Sequence, residues 1–163
     1  MYTAAIVCLS DKGYAGERED ISTGVIEKIL LENNFDVSDK ILIPDDYDCI
    51  IETLEKLVKD RNINLIITTG GTGFSHRDNT PEATKKVIEK EVPGISEAIR
   101  AYSMTITKRA MLSRGVSGIK GNSLIINLPG SPKAVKESLE YIVDTVTHGI
   151  DLIIKGSQDC ARK

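Results

Sequence analysis

The chain has 163 residues, 40% hydrophobic and 28% charged, the make-up of one ordinary globular domain spanning 1–163 rather than of a disordered segment. A net charge of -3 and a pI near 5.5 argue against a nucleic-acid-binding domain, which carries a basic excess. Cys8, Cys49 and Cys160 are scattered and odd in number, which speaks against a zinc cluster or disulfide framework and fits a reducing cytoplasm.

Residues 4–9 form a continuous apolar run without the basic lead of a signal peptide, and read as a strand buried on both faces. A polar stretch with Gly13 and Gly16 follows. Val25, Ile26, Ile29 and Leu30 then recur at helical spacing over 23–31, up to Asn33 and Asn34. A second strand over 37–43 stops at Pro44, and Ile50, Ile51, Leu54 and Leu57 mark a helix over 47–59. Residues 65–69 are another buried-type strand, ending in Gly70-Gly71-Thr72-Gly73. Thr80 is expected to cap the next helix, with Pro81 at its first position and Pro93-Gly94 as its breaker. A helix over 95–107 comes next. Glycines and serines over 115–123 suggest a β-turn or hairpin leading into the apolar strand 124–128. Pro129 and Pro132 end that strand and open a last helix, along which Val135, Leu139, Ile142, Val143 and Val146 recur. This alternation predicts an α/β three-layer sandwich. A mostly parallel sheet is covered by helices on both faces, with an antiparallel edge strand available near 110–121. No apolar run is long enough to span a bilayer.

In open α/β sheets, ligands bind beyond the carboxyl ends of the strands. Four loops fall there: 10–12, 44–46, 70–79 and 129–133. Gly70, Gly71 and Gly73 let backbone N–H groups approach an oxyanion, the helix start adds a positive dipole end, and Thr72 and Ser75 bring hydroxyls. The pattern is neither a P-loop nor a dinucleotide fingerprint. Asp45 and Asp78 follow different strands yet should face one crevice, where two carboxylates beside phosphate commonly hold a divalent cation. Each also reads as a turn or cap residue, Asp78 equally as a partner of Arg77, and Asp46 or Asp48 could stand in for Asp45. Ser131 reads as an N-cap whose neighbouring N–H groups also suit a phosphate, with Lys133 for charge and Asn127 on the floor. Lys12 reads as a solvated lysine or a second phosphate ligand. Arg114 would lie over an anion or a ring, or face solvent. His76 reads as a polar loop residue and His148 as a packing residue of the last helix.

Thr68 through Gly73, Arg77-Asp78, Thr80-Pro81-Glu82-Ala83-Thr84, Ile43-Pro44-Asp45, Leu112-Ser113-Arg114 and Asn127 through Lys133 occur along nearly the whole chain with fitting spacing. Together they resemble the molybdopterin adenylyltransferase family, the MogA and MoaB proteins of molybdenum cofactor biosynthesis. The resemblance implies Mg²⁺-dependent transfer of AMP from ATP to the terminal phosphate of molybdopterin, releasing pyrophosphate. It implies Asp45 and Asp78 as catalytic and metal-holding residues. Gly70, Gly71, Thr72, Gly73 and Ser75 match nucleotide and phosphate contacts. Ser10, Lys12, Asn127, Pro129, Gly130, Ser131 and Lys133 match the region around the pterin phosphate. A homotrimer or hexamer, and a molybdenum insertase partner, are implied as well. The short chain resembles MoaB-type members, for which a non-catalytic molybdopterin-binding or carrier role is the alternative. Molybdate insertion and pterin-independent nucleotide hydrolysis are further rivals.

Overall fold

Strands that are apolar on both faces need cover on both sides, and this dictates the architecture. In the computed structural model, which describes residues 1–156, β1 (Tyr2–Leu9), β3 (Leu65–Thr69) and β6 (Ser123–Leu128) form the buried centre of a six-stranded sheet. The remaining strands are β2 (Phe35–Ile43), β4 (Lys90–Glu91) and β5 (Ser117–Lys120). The order is β2-β1-β3-β6-β5-β4; the first four run parallel, and β5 and β4 are antiparallel. Side chains alternate between faces. Ala4, Ile6, Ile67 and Ile126 pack towards α2 (Ile21–Glu32), α5 (Pro93–Met104) and α6 (Pro132–Lys155). Ala5, Val7, Ile66 and Ile125 pack towards α3 (Tyr47–Lys59) and α4 (Thr80–Val87). The three-layer α/β sandwich is thus as expected.

Several local expectations need correction. Beyond the foreseen antiparallel strand β5 the sheet carries one more strand, β4, which pairs antiparallel with β5 and forms the edge; two residues leave no readable period. Pro93-Gly94 does not break α4, which already ends at Val87, but opens α5, because a proline without an N–H suits the first helical turn. Thr80 is not the cap of α4: Asn79 holds that position, and the Thr80 hydroxyl donates to the Gly70 carbonyl at 3.0 Å. A short helix α1 (Asp11–Tyr14), capped by Ser10, follows β1. His148 is exposed rather than packed. Cys160 and the polar tail beyond Gly156 lie outside the described residues. Among the described residues, no helix is long and apolar enough to cross a membrane.

From β1 the chain goes to β2 on one side, then crosses back to β3 on the other. The carboxyl ends of β1 and β3 therefore flank the topological switch point, where such sheets hold their ligands.

Candidate active site

A cavity of about 550 Å³ opens at that switch point, a size suited to a nucleotide- or pterin-sized ligand. The end of β1 (Cys8, Leu9, Ser10) and the end of β3 (Thr69, Gly70, Gly71) form one part of its wall. The starts of α2 (Asp20, Ile21, Ser22) and α6 (Gly130, Ser131, Pro132) form another, and Ser22 Oγ stitches them together by donating to the Gly130 carbonyl at 2.8 Å. Asp45 and Asp78 reach in from two further loops.

Asp45 is set by a reciprocal exchange with Asp11. The Asp11 N–H donates to Asp45 Oδ2 at 3.0 Å, and the Asp45 N–H donates to Asp11 Oδ1 at 3.0 Å. Arg77 then grips Asp11 with a fork, Nε to Oδ2 at 2.9 Å and Nη2 to Oδ1 at 2.8 Å. The guanidinium lowers the Asp11 pKa. Asp45 goes the other way: burial raises its pKa most, the Asp11 N–H pulls it down, and the charges of Asp11 and Asp78 push it up again. Its Oδ1 is buried with no hydrogen-bond partner among the described residues. Such an oxygen is costly unless it meets a proton or a cation. The cap role falls to Asp46, which accepts the Cys49 N–H at 2.9 Å, so Asp45 is not spent on capping α3.

The glycine loop is bent by left-handed backbone at Gly70 (φ 97°) and Gly71 (φ 65°). Asp78 Oδ2 accepts the Ser75 N–H at 2.9 Å, folding the outer loop on itself. Arg114 does not simply face solvent. It clamps this loop, donating from Nε to the Gly73 carbonyl at 2.8 Å and from Nη2 to the Asp78 carbonyl at 2.7 Å, and pairs with Glu82. Cys8 has its pKa pushed up to about 12, chiefly by burial and then by the charge of Asp20. The thiol is therefore neutral and no nucleophile. Iodoacetamide at pH 8 should leave Cys8 unmodified in the folded protein and label it after unfolding, as peptide mass spectrometry would register.

Of the residues the sequence singled out, Ser10, Asp45, Gly70, Gly71, Asp78, Gly130 and Ser131 come together around the cavity. Ser131 is also the expected N-cap, accepting the Ala134 N–H at 3.2 Å. Thr72 is buried below the loop, Gly73 and Ser75 lie in its outer part, and the Pro129 carbonyl accepts the Thr69 hydroxyl at 2.6 Å. Lys12 and Lys133 do not line the cavity; Lys133 lies 4.0 Å from Glu137. Asn127 is not on the cavity floor. Its Nδ2 donates to the Thr68 hydroxyl at 2.9 Å and the Thr84 hydroxyl at 3.0 Å, while Oδ1 accepts the Val116 N–H at 3.2 Å. Asn127→Ala should therefore cost about 2–3 kcal/mol in urea unfolding by orphaning buried polar groups, with ligand affinity little changed. Sequence reasoning missed Asp11, Arg18, Asp20 and Ser22. Asp20 was the most legible: an acidic residue just before an apolar helical period is an N-cap signal, and it accepts the Thr23 N–H at 3.0 Å.

A family model described as a probable molybdopterin binding domain matches residues 5–148. A Helicobacter pylori protein named molybdopterin adenylyltransferase is 40% identical over 152 residues, which cover 91% of this chain and 86% of that protein. The Drosophila melanogaster molybdenum cofactor synthesis protein cinnamon is 41% identical over 153 residues, covering 93% of this chain but only 25% of its own length. The crystal structure of the molybdopterin biosynthesis enzyme MoaB from Thermus thermophilus superposes with a TM-score of 0.91 at 41% identity, covering 95% of this chain and 98% of that one.

Proposed function

Because the chain belongs to the molybdopterin-binding family whose model it matches over residues 5–148, we propose that it transfers AMP from Mg-ATP to the terminal phosphate of molybdopterin. It is an enzyme of molybdenum cofactor biosynthesis and a molybdopterin adenylyltransferase, as its 40% identity to a bacterial relative of that name over most of both chains supports. The observation that carries this proposal is the buried, unpartnered Oδ1 of Asp45 beside Asp78, in a cavity lined by a glycine turn and two helix starts.

In this reading an oxygen of the pterin phosphate forms a bond to the α-phosphorus of ATP. The bond from that phosphorus to the β-phosphoryl oxygen breaks, and pyrophosphate leaves. The nucleophile is already anionic, so no strong general base is required, in keeping with a neutral Cys8 and with His76 lying off the cavity wall. The protein's part is to hold two anionic groups in line against their mutual repulsion. The N–H groups at the starts of α2 and α6 offer partial positive charge to a phosphate.

Among the described residues, no cluster of three or more His, Cys, Asp or Glu is arranged to hold a metal. Mg²⁺ does not need one, since it takes one or two carboxylates and fills its shell with phosphate oxygens and water. Asp45 and Asp78 fit that role, and the ion would supply charge neutralisation at the phosphates. Asp11 and Arg77 would keep Asp45 in place, because both Asp45 Oδ2 and its N–H are bound to Asp11. Exposed Met104, Ile106, Met111 and Leu112 support self-association into the implied trimer or hexamer, which light scattering would test.

The deciding experiment measures pyrophosphate release from Mg-ATP with and without molybdopterin. Pterin-dependent release with adenylated product supports the proposal. Release without pterin would instead make the protein a nucleotide hydrolase, and pterin binding without release would make it a carrier.

A further inference from the structure

The cavity is a poor electrostatic match for the ligand it is read to take. Glu19, Asp20, Asp45 and Asp78 all line it, and every one is acidic. A phosphate monoester entering such a crevice meets repulsion unless a cation is provided. The metal-holding carboxylates account for Asp45 and Asp78, but they leave Glu19 and Asp20 on the wall formed by the start of α2.

The nearby cations differ in what they already hold. Arg77 is bound by two hydrogen bonds to Asp11. Arg114 is bound to two loop carbonyls and to Glu82. Lys12 and Lys133 do not line the cavity. Arg18 does line it, and is the one Lys or Arg among the described residues that does so. It makes no ion pair and no side-chain hydrogen bond with any described residue. Two positions further on, Asp20 caps α2, whose start is tied through Ser22 to the loop before α6. Arg18 thus belongs to the α2–α6 wall, where two helix starts present their positive dipole ends, and not to the loops that carry Asp45 and Asp78.

We propose that Arg18 is the specificity-determining cation of this site, gripping the terminal phosphate monoester of the pterin substrate from the α2–α6 wall. The guanidinium fork matches a phosphate in two parallel hydrogen bonds, whereas a lysine at this place would offer a point charge only. This rests on the adenylyltransferase reading, because it takes the pterin phosphate as ligand. An exposed arginine carries little of the fold, so its replacement is expected to leave thermal stability unchanged.

The test titrates molybdopterin and, separately, Mg-ATP into the parent protein, Arg18→Gln, Arg18→Lys and Lys133→Gln, with melting temperatures as a folding control. Arg18→Gln is expected to weaken pterin binding by about tenfold to a hundredfold, as loss of a hydrogen bond to a charged group does. Arg18→Lys should fall between, Lys133→Gln should match the parent, and ATP binding should hold in all four. In turnover, the KM for pterin should rise while kcat stays within about twofold. Pterin binding by Arg18→Gln equal to the parent's, or a loss confined to ATP, overturns the assignment to Arg18 and leaves the adenylyltransferase reading standing. A parent protein that binds no pterin overturns both.

Discussion

Asp45→Asn should lose pterin-dependent pyrophosphate release by about a thousandfold or more, yet fold at least as stably as the parent. The loss of activity follows from removing one of two carboxylates that would hold the cation at the reacting phosphates, in a protected site where charge is worth most. The retained stability follows from the opposite direction of the same electrostatics. Burial raises the Asp45 pKa, so the fold disfavours the ionised form. A raised folded-state pKa means that stability is complete below the unfolded value and declines as pH rises through the folded value. Asparagine cannot ionise, so the decline vanishes. Its side-chain oxygen can still accept the Asp11 N–H that Oδ2 accepts now. Melting temperature followed from about pH 4 to 8, across the carboxylate range, should fall less steeply in the variant. Turnover within about tenfold of the parent would sink the proposed role of Asp45. Asp78→Ala should likewise lose activity while still binding pterin, although it also frees the Ser75 N–H that Oδ2 now accepts.

How much of this was legible beforehand depended on whether a residue's partner is near in sequence. The strands β1, β3 and β6 announce themselves because both faces are apolar, and α3 spans 47–59 as its periodicity predicts. The hairpin before β6 was readable from Gly121, which sits in the left-handed region at φ 55°. The two-residue strand β4 was not, since its existence depends on pairing with Ile119 and Gly118, far along the chain. Pro93-Gly94 was ambiguous for a physical reason: the same pair ends one helix or begins another, and only the packing of what precedes it decides.

The candidate site shows the same division. Asp45, Asp78 and the glycine turn could be placed because each follows a strand end. Asn127 lies near a strand end too and yet serves the fold, because its side chain finds Thr68, Thr84 and Val116 in the buried interior. No local pattern separates the two outcomes. Nor could sequence show that Asp11 would anchor Asp45, or that Arg77 would reach across to Asp11 rather than to its neighbour Asp78. Charges alone say which pairs are compatible; the sheet order says which ones meet.

Gly70→Ala is expected to cost about 3 kcal/mol or more and to remove activity with it. Gly70 has φ 97°, where an L side chain is strained before any contact is considered. A methyl group added there would lie 2.4 Å from the Leu9 carbonyl oxygen. That oxygen is backbone at the end of β1, locked into the central sheet, so it cannot yield as a flexible side chain could. Either β1 and β3 separate at their carboxyl ends or the glycine turn changes path, and both widen the switch point that the site is built on. At the neighbouring Gly71, an added methyl would lie 2.2 Å from the Thr80 hydroxyl and 3.0 Å from Asp45 Oδ1, so Gly71→Ala would press directly on the proposed metal-holding oxygen. Gly24→Ala is the matched control. It lies inside α2 with nothing within 4 Å of the added carbon, and should raise stability by about 0.5–1 kcal/mol through helix propensity. Urea denaturation of Gly70→Ala, Gly71→Ala and Gly24→Ala would separate glycines required by geometry from one merely tolerated. Equal stability for Gly70→Ala and the parent would mean that the close approach of the turn to β1 does not shape the site.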